Sequence, residues 1–446
     1  MLNVRYPGSR HQFCDGQTRR QMLRLGTTGL FTGLTLPRLL QSEALADNAS
    51  NAKAKACIFL FLEGGPPHQD MWDPKPDAPP EIRGPFQTIA TSTPGVFFAE
   101  HCQRCSKITN KFTVVRSHSH ADNGHMTGYH YVMTGRRAAF ADGEHPIPTN
   151  ELFPSLGSVV SKELGSNGSL PPYINLPHPM SAGGPGFYGA EHSPFVIEAD
   201  PSQPDFEVKD LGRVEGLSSV RLDLRQRLLS GLEQQRKRIG RAAAMSTYYE
   251  KAYDLITSPA ARKAFNIQAE PAAVRESYGM TQIGQSALLG RRLIEAGCRF
   301  VGIDAPGWDV HMNCFPSLAG DLIPPADRAF AALLTDLEQR GLLDSTLVVM
   351  MGEMGRTPRI NAQAGRDHWS MAQCILFAGG GTKPGQIIGA TDKQAAAPVS
   401  DPISVSDLLR TVCTLLGIDP EKEHPDPLGR PVPIVNGGKV IPGLIA

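Results

Sequence analysis

The sequence predicts an α/β protein built on a doubly wound, mostly parallel sheet flanked by helices. Three observations predict it. Short apolar runs recur without the alternation of a half-exposed strand, and so read as strands buried on both faces. Amphipathic stretches lie between them and end in a glycine just before the next run, a helix stop followed by a strand. Polar residues capable of chemistry collect beside the runs, and open parallel sheets bind ligands beyond the carboxyl ends of their strands.

The N-terminal 46 residues stand apart. Thr18-Arg19-Arg20-Gln21-Met22-Leu23 precedes residues 25–36 (LGTTGLFTGLTL), which are uncharged but only moderately apolar, and Ala44-Leu45-Ala46 forms a small-x-small cleavage site. Together these make a twin-arginine export signal over 1–46, leaving 47–446 as a single domain. The uncharged run is too short to span a bilayer, which takes ~20 residues. The mature chain is expected to have no transmembrane segment and to be periplasmic or extracellular.

Lys+Arg and Asp+Glu are both 44, for a net charge of zero, which argues against nucleic-acid binding by bulk charge. The leader holds Arg5, Arg10, Arg19, Arg20, Arg24 and Arg38 against Asp15 and Glu43, a net of +4, so the remainder carries −4. At 41% apolar and 20% charged residues the chain has an ordinary globular composition, which excludes wholesale disorder. Of the eight cysteines only Cys14 is in the leader, and the remaining odd number cannot all pair. Cys102-x-x-Cys105, after His101, lacks the second ligand pair of a zinc knuckle and is expected to form a local disulfide or to remain as thiols.

Strands are predicted over 57–62 (CIFLFL), 111–116 (KFTVVR), 299–303 (RFVGI), 346–351 (TLVVMM) and 373–378 (QCILFA). Helices are predicted over 281–296, 326–340 and 406–416, stopping at Gly297, Gly341 and Gly417, the last with Ser406 as its cap. Two further helices are expected over 217–256, and residues 140–215, rich in Pro and Gly, are expected to be surface loops.

The chemistry gathers beside these strands. Glu63-Gly-Gly-Pro-Pro-His68-Gln-Asp70 follows the first, and a stretch from His118 through His120, Asp122, His125 and Thr127 to His130 follows the second. Asp309-Val-His311 follows the third, Glu353-Met-Gly-Arg356 the fourth, and Arg366-Asp367-His368 precedes the fifth. Carboxylate and imidazole donors in combination suit Zn²⁺, Mn²⁺ or Fe, whereas Mg²⁺ and Ca²⁺ prefer oxygen alone. His311 and His368 would be nitrogen donors, Asp309, Glu353 and Asp367 oxygen donors, and Arg356 and Arg359 could hold an anion.

The stretches GGPPHQDMWDPKP, VVRSHSH…GHMTGYHYVMTG, GWDVHMN, GLLDSTLVVMMGEMGRTPRIN, GRDHW and SVSDLLRTVCTLLGI resemble the bacterial DUF1501 family, a branch of the alkaline phosphatase/sulfatase-like superfamily. They cover almost the whole mature chain in order. The resemblance implies an alkaline phosphatase/sulfatase-like fold with a divalent metal, Zn²⁺ first and Mn²⁺, Ca²⁺ or Mg²⁺ as alternatives. It implies Asp309, His311, Glu353, His368 and Asp70, or Glu63 in place of Asp70, as metal ligands, to which the donor pattern adds Asp367. Met354 stands where sulfatases carry a histidine ligand. Sulfatases place their nucleophile nine residues before the Thr of a Thr-Gly-Arg; here Thr134-Gly135-Arg136 puts His125 at that position.

His125, with Thr127 two residues on, is therefore the expected catalytic residue, as ligand, acid/base or nucleophile, and Arg356 would offset developing charge. The expected function is an exported metal-dependent hydrolase of sulfate or phosphate esters acting on a small-molecule or polysaccharide ester. The alternative is a metal- or anion-binding protein of the same fold without hydrolysis.

Overall fold

The computed structural model describes residues 52–138, 153–208 and 258–446. The leader expected over 1–46 and the helices expected over 217–256 lie outside the described residues. Eight strands form the central sheet: β1 (Ala56–Leu62), β2 (Phe112–His118), β3 (Tyr173–Leu176), β4 (Phe195–Val196), β5 (Phe300–Ala305), β6 (Thr346–Met351), β7 (Gln373–Ala378) and β8 (Ile387–Ile388). Their spatial order is β8-β2-β7-β6-β1-β5-β3-β4. Only β7 runs against its neighbours, β2 and β6; every other pairing is parallel. The principal helices are α1 (His125–Thr134), α2 (Leu156–Leu164), α3 (Gln282–Glu295), α4 (Ile323–Gln339) and α5 (Val405–Leu415).

The apolar run of β1 is explained by what covers it. Ile58, Leu60 and Leu62 enter one core, with Leu288 and Leu289 of α3 and Phe330, Leu333 and Leu337 of α4. Cys57, Phe59 and Phe61 enter the other, with Tyr129 and Val132 of α1, Val159 of α2, and Leu408 and Val412 of α5. Side chains alternate faces along a strand, so a strand covered on both faces must be apolar throughout. Helices on both faces of a mostly parallel sheet make the doubly wound architecture the sequence predicts.

Two local expectations are corrected. The described part of 140–215 is not all loop, because α2 lies there and β3 pairs with β5 to extend the sheet. Prolines and glycines around the four-residue YINL strand hide its short apolar signal. The cap of α5 is Ser404, not Ser406, because only Ser404 places Asp407 where the two side chains and backbones bond reciprocally. The seven cysteines of the described residues are all buried free thiols. Cys102 and Cys105 turn their Sγ atoms to the carbonyls of Met71 and Asp327, so this segment is a packing element. No helix among the described residues is long and apolar enough to cross a membrane.

Candidate functional site

The carboxyl ends of β1, β2, β5 and β6 share one edge of the sheet, and the start of the reversed strand β7 meets them there. This polarity explains why His368 lies before a strand while its companions follow theirs. A short antiparallel ribbon, Gly355–Arg356 against His368–Trp369, sets His368 opposite Arg356.

At this edge three imidazoles surround the Asp309 carboxylate. His311 Nε2 lies 2.7 Å and His368 Nε2 3.1 Å from Asp309 Oδ1, and His125 Nε2 lies 3.1 Å from Oδ2. The Nε2 atoms of His311 and His368 are 3.0 Å apart. His125, Asp309 and His368 each bring a ligand atom within 4.8 Å of the others, a group able to hold a metal ion. The side chains of Asp309 and His311 are 43% and 38% exposed, so the cluster opens to solvent.

The opposite ring nitrogens are also accounted for. His125 Nδ1 donates to Glu353 Oε1 at 2.6 Å, His311 Nδ1 to Asp367 Oδ1 at 2.9 Å, and His368 Nδ1 to the Asn123 carbonyl at 2.7 Å. An acceptor on each Nδ1 fixes the Nδ1–H tautomer and leaves a lone pair on Nε2. That is how metal-ligating histidines are commonly oriented. Lone pairs 3.0 Å apart on His311 and His368 repel unless a proton or a cation lies between them.

The backbone brings these groups together through close approaches. Gly64, immediately beyond β1, has φ +112°, and a Cβ there would lie 2.3 Å from the Asp309 nitrogen. Its N–H lies 3.0 and 3.1 Å from the two carboxylate oxygens of Glu353. His125 is the first residue of α1, capped by Gly124.

The other expected site residues fall elsewhere. Asp70 is buried and bonded through both oxygens to Arg366, at 2.7 and 2.9 Å, and takes no part in the cluster. Glu353 and Asp367 stand behind His125 and His311, on the Nδ1 side. Thr127 donates to Asp122 Oδ1 at 2.5 Å. Arg356 is buried, and its donors go to the carbonyls of Gly65, Trp308, Arg366 and Gly64 and to Asp309 Oδ1 at 2.6 Å. It clamps the loops after β1, β5 and β6 rather than reaching outward. Arg359 is exposed at the surface near Glu81. Met354 is fully buried.

The charges follow this arrangement. Partial burial opposes ionisation of Asp309, yet the Arg356 hydrogen bond and charge hold its carboxyl far below the usual range. The Glu353 hydrogen bond raises His125 above an ordinary histidine, whereas burial and then the His125 and Arg356 charges lower His368. The His311 hydrogen bond lowers Asp367.

Behind the cluster Glu63, the alternative to Asp70 as a ligand, pairs with Asp304, which the sequence reading did not single out as a site residue. Burial, then the neighbouring Glu63 charge, pushes Asp304 up to about 8, while burial and Glu353 raise Glu63. Tyr129 Oη donates to Asp304 at 3.4 Å. The available signal was an aspartate, next to last, inside the wholly buried FVGIDA run of β5.

The fold and site define an α/β protein with a histidine–carboxylate centre at the strand ends. The chain belongs to the family described as "Protein of unknown function (DUF1501)", whose model matches residues 54–445. No curated protein matches it. Among solved structures it is similar to the PsFucS1 sulfatase from Pseudoalteromonas sp., at 12% identity over 85% of this chain and 72% of that one, with a TM-score of 0.38. It is also similar to the lipoteichoic acid synthase LtaP from Listeria monocytogenes, at 12% identity over 90% and 78%, with a TM-score of 0.35. The phosphonate monoester hydrolase SpPMH from Silicibacter pomeroyi gives 13% identity over 83% and 74%, with a TM-score of 0.35.

Proposed function

We propose that this protein is an exported, metal-dependent hydrolase of phosphate or sulfate esters, acting on a small-molecule or polysaccharide ester. The observation that carries the reading is the convergence of the His125, His311 and His368 Nε2 atoms on Asp309 in a solvent-open site. Mixed nitrogen and oxygen donors with their Nδ1 atoms already bonded fit a divalent cation of the Zn²⁺ type. His125, Asp309 and His368, with His311 beside them, would hold it. Such an ion supplies Lewis-acid polarisation of an ester oxygen and acidifies a water molecule.

The chain's own residues provide the geometry. Arg356 keeps Asp309 ionised and fixes its Oδ1, while Asp367 and the Asn123 carbonyl fix the rings of His311 and His368. His125 occupies the position where sulfatases keep their nucleophile, and Thr127, bonded to Asp122, is turned to a different partner. The expected outcome is that His125→Ala loses more aryl phosphate or sulfate turnover and bound metal than Thr127→Ala does. Elemental analysis of protein purified without chelators is the first check, and metal-free wild type with undiminished turnover would overturn the reading.

One feature favours a second reading, a metal-binding protein without hydrolysis. Four protein donors on one ion, with an imidazole in place of a Ser or Cys nucleophile, approach the closed coordination of structural sites. Zinc bound stoichiometrically with no turnover of either ester class would select it.

Export rests on Arg19-Arg20 and Ala44-Leu45-Ala46. Arg19→Lys with Arg20→Lys should trap full-length precursor in the cytoplasm, and processing to a chain beginning at Asp47 would then fail. Fractionation with N-terminal sequencing checks both.

A further inference from the structure

We propose that Glu353 is a positioning residue, a sealed carboxylate that presents His125 to the metal through Nε2, rather than a metal ligand. The inference rests on the metal reading above and reassigns a residue that the family resemblance implies as a ligand. Glu353 is fully buried. Both of its carboxylate oxygens face the Gly64 N–H, at 3.0 and 3.1 Å, and Oε1 also receives His125 Nδ1–H at 2.6 Å. Its main-chain carbonyl accepts from His120 Nε2 at 2.7 Å. Three of the carboxylate's roughly four lone-pair directions therefore already face the Gly64 and His125 N–H groups. Glu353 belongs instead to a set of three holders, one per imidazole, each on an Nδ1 atom.

The three holders are not equivalent. Asp367 is 52% exposed, so water can take its place on His311 when it is removed. Glu353 is enclosed by Gly64 and the first turn of α1, where a Cβ on Gly128 would lie 3.8 Å from the Glu353 Cβ. The Glu353 side chain has no exposed surface, so water has no open route to replace it. Loss of the Glu353 charge should therefore weaken metal binding more than loss of the Asp367 charge.

The test uses metal-free mature protein titrated with Co²⁺, reading the visible bands for the donor set and competition with a chromophoric chelator for affinity. Glu353→Gln is expected to keep the wild-type band shape and to bind Co²⁺ about 10–100-fold more weakly. Asp367→Asn is expected to lose less, and His125→Ala to change the band shape because a nitrogen donor is gone. Wild-type affinity in Glu353→Gln, or a band shape showing a lost carboxylate, overturns the proposal. Should Glu353→Gln fail to fold, ¹⁵N-labelled wild type loaded with ¹¹³Cd²⁺ decides: coupling to His125 Nε2 with a proton on Nδ1 supports the assignment, and coupling to Nδ1 or to neither nitrogen overturns it. If wild type binds neither Co²⁺ nor Cd²⁺, the metal reading itself falls, a failure distinct from metal binding without Glu353 dependence.

Discussion

Gly64 carries two structural demands at once: a left-handed backbone and contact with the Asp309 main chain. A Cβ at 2.3 Å from the Asp309 nitrogen cannot be relieved by a rotamer, because the obstacle is backbone. Gly64→Ala should add roughly 1–3 kcal/mol of backbone strain and push the loop after β5 away from His125. The measurements are the unfolding midpoint and the zinc content, and both should fall; a variant with wild-type values for both would show that the loop yields freely. At this scale the sequence was legible where donor type and position beside a strand coincide, as for Asp309, His311 and His368; His125 stood out from a His-rich stretch only by its offset from Thr134-Gly135-Arg136, which the family resemblance supplied. It was not legible where a partner from a distant segment decides the role. Asp70 and Glu353 are both acidic residues near strand ends, yet Arg366 takes one and Gly64 with His125 takes the other. Arg356 likewise reads as a free anion-binding residue until four carbonyls are seen around it.

The elements were more legible than the residues because burial on both faces writes itself into consecutive positions. β1, β5, β6 and β7 are each near-continuous apolar runs and β2 is marked by Phe112, Val114 and Val115, whereas β3, β4 and β8 are two to four residues long at the margins of the sheet and leave too little pattern to read. The reversal of β7 was also hidden, since direction leaves no mark on an apolar run. At helix ends the chemistry is local and a prediction can be exact about atoms. In α5, Ser404 Oγ accepts from Asp407 N at 3.2 Å, and Asp407 Oδ2 receives Ser404 N at 2.8 Å. Asp407 Oδ1 additionally receives Lys439 N at 2.6 Å, tying the C-terminal segment to the helix. Ser404→Ala should cost about 0.5–2 kcal/mol. Asp407→Ala should cost more, because it also releases the Lys439 backbone. Denaturant midpoints for the two variants give the order, and an equal cost would mean that the Lys439 bond contributes nothing net.

Over the whole molecule, buried bases and a buried acid, all held neutral, give the metal-free protein a stability curve with two assignable flanks. His68 and His118 are fully buried, and burial lowers them to about 4 and about 3. The ordinary histidine value is about 6.5. Below that pH the unfolded chain takes up protons that the folded chain refuses, so stability is full above about 6.5 and falls as pH drops toward 4. Asp304 has the opposite sign. Burial and the Glu63 charge raise it to about 8 from 3.8, so the folded chain keeps a proton that the unfolded chain has released. Its contribution is complete below pH 3.8 and is lost as pH rises to about 8. Each group contributes a slope of at most about 1.4 kcal/mol per pH unit. Two histidines outweigh one aspartate between pH 4 and 6.5, and only the aspartate acts from 6.5 to 8, so these groups together place maximal stability near pH 6.5. Urea unfolding across this range should show His118→Gln flattening the acid flank and Asp304→Asn flattening the alkaline flank. An acid flank unchanged in both His68→Gln and His118→Gln would assign it to carboxylates instead, and the buried histidines would then carry no pH-dependent stability.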